Sequence, residues 1–261
     1  MPKKQRIDVL IFERGLAPSR AKAQAMIMAG EVLVDGNKID KPGTKVNIEA
    51  KIIMKSKPRF VSRGGEKLAG ALVDFSFDVT GRICADVGAS TGGFTDCLLQ
   101  NGVTRIYAID VGYGQLDYKL RQDERVIVME RTNARYVDDL AEPVDFVVVD
   151  ASFISLKILL PVIKGWLHPQ ADLITLIKPQ FEAGKKDVGK GGVIRDAAIH
   201  SRVLEDTIEF MTAQGFTIAG LTRSPIKGPS GNIEFLSWLS WGSDLPNIDI
   251  SAKIQELVTL D

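Results

Sequence analysis

One stretch constrains the fold more than any other: Asp86-Val87-Gly88-Ala89-Ser90-Thr91-Gly92-Gly93-Phe94. The apolar run Ile83 to Val87 ends in an acid and a glycine-rich turn, and helix-forming residues follow over 94–100. Strand, tight turn and helix in that order let backbone N–H groups approach a bound ligand. The spacing is not G-x-G-x-x-G, because Gly88 is followed by Gly92 and Gly93. Dehydrogenase chemistry would want that other fingerprint. The next apolar run, Arg105 to Ile109, is closed by Asp110. An acid at the tip of a second strand suits a pair of ribose hydroxyls.

From Gly81 onward, strand patterns at 82–87, 105–109, 125–129, 144–150 and 172–177 alternate with helical ones, and a long helix is expected over 196–214. Runs buried on both faces and separated by helices predict a parallel sheet. Two last strand runs, 216–221 and 233–241, are joined by a loop rich in Pro and Gly without a helix, so this pair is expected to be antiparallel. Residues 243–261 are expected to add a short amphipathic helix. The result is an α/β doubly wound fold, Rossmann-like, mostly parallel and ending in an antiparallel hairpin.

Ahead of it, residues 1–57 read as a small α+β domain. A helix over 6–14 carries Ile7, Leu10 and Ile11 on one face and stops at Gly15. Ser19 suits the N-cap of a second helix with Ala23, Met26 and Ile27 on one side, stopped by Gly30. Val32-Leu33-Val34, the turn Asp35-Gly36-Asn37, and Ile39 predict a hairpin, with a further strand region over 45–54. Lys55 to Gly65 reads as the junction, with 58–65 as a linker before a domain over 66–261. The loop 183–192, rich in Lys and Gly, could close over RNA or be an ordinary surface loop.

Formal net charge is zero, but residues 1–57 hold 12 Lys/Arg against 6 Asp/Glu, leaving the remainder at −6. A basic small domain beside an acidic larger one points to a polyanion partner. Cys84 and Cys97 make neither a metal spacing nor a disulfide framework, and His168 and His200 give no zinc pattern. The polar start Met-Pro-Lys-Lys-Gln-Arg lacks the apolar core of a signal peptide. The longest apolar stretch, 153–163, is interrupted by Lys157 and is too short to span a bilayer. A cytoplasmic protein with no membrane partner is expected.

Open α/β sheets bind ligands at the carboxyl ends of their strands. Those ends here carry Asp86 with the glycine turn, Asp110, Asn133 after Glu130, Asp150, and Lys178. The final hairpin adds Glu234, and Lys67 stands just before the sheet begins. Two lysines and two acids on one sheet edge would form a charged cluster. A lysine can act as a base toward a hydroxyl if its pKa falls, and a second nearby cation lowers it. The acids would orient both amines.

The glycine turn with Asp110 resembles the S-adenosylmethionine site of class I methyltransferases, which assigns the cofactor to Asp86, Gly88, Ala89, Ser90, Thr91, Gly92, Gly93, Phe94, Asp110 and Asn133. Arg6-Ile7-Asp8, Ser19-Arg20-Ala21-Lys22-Ala23, Ile27 and Gly30-Glu31-Val32-Leu33-Val34-Asp35-Gly36 resemble the small RNA-binding domain called the alpha-L motif. That resemblance, with the junction, makes Arg6, Arg20, Lys22, Lys45, Arg59 and Arg63 the RNA-binding candidates. Lys67, Asp150, Lys178 and Glu234 match the Lys-Asp-Lys-Glu tetrad of FtsJ-like ribose 2′-O-methyltransferases. Val61-Ser62-Arg63-Gly64-Gly65-Glu66-Lys67-Leu68, Asp110-Val111-Gly112-Tyr113-Gly114-Gln115-Leu116, Lys178-Pro179-Gln180-Phe181-Glu182 and Gly228-Pro229-Ser230-Gly231-Asn232-Ile233-Glu234 are similar to the TlyA (hemolysin-A-like) family along nearly the whole chain. The resemblance implies 2′-O-methylation of cytidine in ribosomal RNA, with ribosomal RNA or ribosomal subunits as partner. Two other readings stay open. A cytolysin would want a signal peptide, a membrane span or a barrel pattern that the sequence lacks. A non-catalytic RNA-binding or ribosome-assembly factor would have no use for the tetrad.

Overall fold

The computed structural model describes residues 3–54, 58–184, 186–189 and 191–259. Lys55, Ser56 and Lys57 of the expected junction, and Lys185 and Lys190 of the 183–192 loop, lie outside the described residues. The chain forms two compact units, Met1–Pro58 and Arg59–Asp261.

In the first unit a short strand, β1 (Lys4–Arg6), leads into α1 (Ile7–Glu13) and α2 (Arg20–Met28). Ile7, Leu10 and Ile11 of α1 pack with Ala23 and Ile27 of α2 in a small apolar core, as their helical spacing requires. Ser19 caps α2 by accepting the Lys22 N–H at 3.1 Å. Strands β2 (Val32–Val34) and β3 (Asn37–Ile39) form the expected hairpin around Asp35 and Gly36, both at positive φ. β4 (Lys45–Asn47) pairs with β1, and β5 (Ile52–Met54) pairs with β2. Strand β1 has no signal in the sequence: three polar residues take their conformation from β4.

The second unit opens on α3 (Gly64–Asp74). The stretch 58–65 does not behave as a linker: Phe60 is buried in the core with Leu68 and Leu98, and α3 already begins at Gly64. The chain then runs β6 (Ile83–Val87), α4 (Gly93–Gln100), β7 (Arg105–Ile109), α5 (Tyr118–Arg121), β8 (Val126–Met129) and β9 (Val144–Val149). It continues through α6 (Leu156–Ile163), β10 (Leu167–Ile177), α7 (Pro179–Glu182), α8 (Ala197–Ala213), β11 (Thr217–Arg223), β12 (Phe235–Trp241) and α9 (Ile250–Thr259).

These strands make one sheet in the order β11-β12-β10-β9-β6-β7-β8. β8, β7, β6, β9 and β10 are parallel neighbours, while β12 runs antiparallel to both β10 and β11. Alternate residues serve the two faces, as a strand's period of two requires. Ala85, Val87, Tyr107, Ile109, Val147 and Val149 pack with α6, α8 and α9. Cys84, Ile106, Ala108, Phe146 and Val148 pack with α3, α4 and α5. The sheet is thereby covered on both faces and its carboxyl edge is left for ligands.

Candidate active site

The tetrad assembles at that edge as two ion pairs. Lys178, the residue after β10, brings Nζ to 2.5 Å from Asp150 Oδ1, at the end of β9. The same amine donates to Ser152 Oγ at 2.9 Å. Lys67 comes from the first turn of α3, on the face that also buries Leu68 and Ala71. Its Nζ lies 2.5 Å from Oε2 of Glu234, the residue before β12. Both lysines and Glu234 are buried, and Asp150 is half-buried. Charges out of water are held only with partners, and each of the four has one. All four line a single open cleft of about 730 Å³, together with Arg63 and the turn residues Gly88 to Thr91, Gly93 and Phe94.

A second cleft, of about 570 Å³, adjoins the first and shares Gly88, Ser90, Asp150, Ser152, Phe153 and Phe181 with it. Asp110 and Asn133 line this second cleft, beside the apolar side chains of Ile109, Ile154 and Leu159. Asp110 also ties the site together. It accepts the Ser90 N–H at 2.8 Å and the Gly112 N–H at 2.7 Å, which locks the glycine turn to the loop after β7. Each carboxylate oxygen keeps a further lone pair for a ligand. Asn133 caps a short helical turn through Oδ1, which accepts the Arg135 N–H at 3.3 Å.

The glycine turn does two mechanical things. Gly88 takes φ +88°, and a Cβ there would stand 2.7 Å from the carbonyl oxygen of Asp150. Only a glycine lets β6 and β9 end side by side. A Cβ on Gly93 would meet Ser62 Oγ at 2.3 Å and Gly65 N at 2.9 Å, so the starts of α3 and α4 touch through backbone. The expectation that the turn's N–H groups face a ligand needs revision for four of them: Ser90 donates to Asp110 at 2.8 Å and Gly92 to Ala89 O at 2.7 Å. Gly88 and Ala89 both donate to Ile109 O, at 2.9 and 3.1 Å.

Two expected cofactor residues line neither cleft. Gly92 caps the start of α4. Asp86 is fully buried and accepts from Thr95 Oγ1 at 2.6 Å. Parity explains this: Asp86 lies one residue inside the strand end and shares the face of Cys84, so it points into the α4 layer. Its Oδ1 has no hydrogen-bond partner among the described residues. Burial, and secondarily the charge of Asp150, push its carboxyl up to about 7 against the pull of the Thr95 hydroxyl.

Sequence reasoning missed Ser152, Phe153, Phe181 and Glu182 as site residues. Ser152 and Phe153 follow Asp150 directly, and that strand-end position was the available signal. Phe153 stands at φ +63° and is 90% exposed. A non-glycine residue held left-handed beside a cleft marks a functional position.

In the first unit, Asp8 gathers two of the RNA candidates. It accepts from Arg6 and Arg20, each at 3.0 Å, and from Gln24 at 2.7 Å. The Arg6 hydrogen bond, helped by the other two, holds its carboxyl well below the ordinary range. Lys45 stands opposite Arg6 in the β1–β4 ladder, so three cations share one region. Lys22 is exposed on α2, and no described contact joins it to them. Arg59 and Arg63 belong to the second unit, Arg59 stacked over Phe60 at 4.7 Å and Arg63 at the first cleft.

Comparison with known proteins accounts for both units. Residues 60–241 match the FtsJ-like methyltransferase family, and residues 5–52 match the S4 domain. The 16S/23S rRNA (cytidine-2′-O)-methyltransferase TlyA of Mycobacterium tuberculosis is 44% identical over 248 residues, 94% of this chain and 92% of that one. Hemolysin A of Brachyspira hyodysenteriae is 44% identical over 235 residues, 89% of this chain and 98% of its own. The solved structure of a hemolysin-like protein from Streptococcus thermophilus gives a TM-score of 0.75 at 44% identity, covering 99% of this chain and 95% of that one. With its S4 domain, its class I methyltransferase sheet and this likeness along nearly its full length, the chain belongs to the TlyA/hemolysin A family of FtsJ-like methyltransferases.

Proposed function

We propose that this chain transfers a methyl group from S-adenosylmethionine to the 2′-hydroxyl of a cytidine in ribosomal RNA. The observation that carries the reading is the junction of the two clefts, where Asp150, which lines both, holds Lys178, which lines the first. The second cleft fits the cofactor chemically. It has an apolar wall for a base, the Asp110 carboxylate for ribose hydroxyls, and a carboxamide at Asn133. In this reading Gly88 to Thr91, Gly93, Phe94, Asp110 and Asn133 hold the cofactor, while Asp86 and Gly92 line neither cleft. When bound, it supplies a methyl group on a sulfonium that leaves as a neutral thioether, so no acid is required of the protein.

The protein must then align the ribose hydroxyl and take up one proton. Lys178 is the group placed to take up the proton from the 2′-hydroxyl as the oxygen gains the methyl group. Asp150 and Ser152 fix the direction of its amine. Lys67 adds a second cation to the first cleft, and Glu234 keeps it in place. The S4 domain binds RNA phosphates through Arg6, Arg20, Lys22 and Lys45, and Arg59 and Arg63 extend the footprint on the second unit. A ribosomal RNA substrate puts the enzyme in the cytoplasm, and no helix among the described residues is long and apolar enough to cross a membrane. Incubating purified protein with S-adenosylmethionine and ribosomal subunits, then mapping 2′-O-methyl groups, tests the proposal. New 2′-O-methylcytidine is expected. Methyl groups on bases, or none, would overturn it.

A further inference from the structure

Segment 150–156, between β9 and α6, is held against Lys178 and α7 at two places. At one end Lys178 meets Asp150 and Ser152. At the other, Glu182 accepts from Ser155 Oγ at 2.6 Å and from the Leu156 N–H at 2.8 Å. Between the two anchors the rings of Phe153 and Phe181 lie 5.0 Å apart. The segment so held carries Phe153 in its left-handed conformation and forms the wall shared by both clefts. A backbone in that region keeps one geometry only when its surroundings over-determine it.

Glu182 is suited to that task. Ser155 caps α6 by accepting the Lys157 N–H at 3.1 Å and uses its own hydroxyl hydrogen toward Glu182. The carboxylate thus completes the start of α6, where unpaired N–H groups and the helix dipole favour negative charge. Burial raises its carboxyl, while the Ser155 and Leu156 donors pull the other way.

We propose that Glu182 is a positioning residue for methyl transfer: by clamping Ser155 and Leu156 it holds the 150–155 segment in the conformation that presents Asp150 and Ser152 to Lys178. The proposal rests on the methyltransferase reading of the site. Catalysis is sensitive to such clamps, because misplacing a reacting group by about 1 Å costs on the order of 10²-fold in rate.

The test compares full-length Glu182→Ala and Glu182→Gln with the wild type. Glutamine keeps an acceptor for Leu156 and a polar partner for Ser155; alanine keeps neither. Glu182→Ala is expected to lower the single-turnover methylation rate by roughly 10- to 100-fold, with KM for RNA and the melting temperature little changed. Glu182→Gln should restore the rate to within a few-fold. Hydrogen exchange at Leu156 should quicken in the alanine variant alone. Should that variant not fold, Ser155→Ala removes one of the two bonds and should show the same direction. An unchanged rate, a loss confined to KM, or a loss that glutamine does not rescue would overturn the proposal. A wild-type chain that fails to methylate RNA would overturn the reading beneath it, whereas unaltered exchange at Leu156 would overturn the clamp itself.

Discussion

Asp86 offers a prediction whose size follows from its surroundings. The carboxyl is fully buried, accepts from Thr95, and is pushed up to about 7 because burial disfavours its charge. In the unfolded chain it titrates near 3.9. Between about pH 4 and pH 7 the folded state therefore holds a proton that the unfolded chain has released. Stability from this group is fully present below about pH 4 and is lost as pH rises through about 7. At about 1.4 kcal/mol per unit, a difference of about three units amounts to roughly 4 kcal/mol. Asp86→Asn removes the titration while leaving an oxygen to accept from Thr95. The variant should gain about 2.5 kcal/mol more over the wild type at pH 8 than at pH 5, from the same linkage. Urea unfolding followed by tryptophan fluorescence suits the assay, because Trp166, Trp238 and Trp241 all lie in the second unit. Stability differences that are equal at the two pH values would refute the reasoning.

Three further outcomes are expected. Lys178→Ala should lower single-turnover methylation by roughly 10²-fold or more, with cofactor affinity little changed. Lys178→Arg should not rescue it because a guanidinium stays protonated, and near wild-type turnover in that variant would rule out the base role. Gly88→Ala places a methyl 2.7 Å from Asp150 O at φ +88°, adding to a left-handed cost of about 1–2 kcal/mol; calorimetry should show S-adenosylmethionine binding lost, and normal affinity would contradict the account of the turn. Arg20→Gln should weaken RNA binding across sequences and reduce the salt slope by about one, and an unaltered slope would remove Arg20 from the interface.

Periodic and capped elements were legible in the sequence. Helix α8 runs between the bounds read for it because Asp196 caps its start, accepting the Ala198 N–H at 2.9 Å, and Gln214 and Gly215 end it. β10 begins five residues earlier than its apolar run: Leu167 packs on the core, His168, Pro169 and Gln170 are exposed, and the stretch joins the sheet through an irregular register. Composition cannot reveal such a segment, because partner strands rather than burial hold it. At the site, reading strand ends picked out Asp150 and Lys178, and Glu234 stands next to β12, whereas Lys67 lies inside the first turn of α3. It misjudged Asp86, where one residue of parity turns a side chain from the edge into a layer. It missed Glu182, whose role arises only when residues 155 and 182 meet.

The place of β12 also bears on how the molecule is made. This strand lies between β10 and β11, though both precede it in the chain. As the polypeptide is synthesised, β10 and β11 wait with open edges for a partner that has yet to emerge. Glu234 arrives with that partner and finds Lys67, 167 positions upstream. Such distant closure is slow, and unpaired edges invite association with other chains while it is pending. The nascent protein therefore acquires its complete charged cluster at the last step of sheet assembly, and a chain interrupted before Glu234 lacks the partner of Lys67.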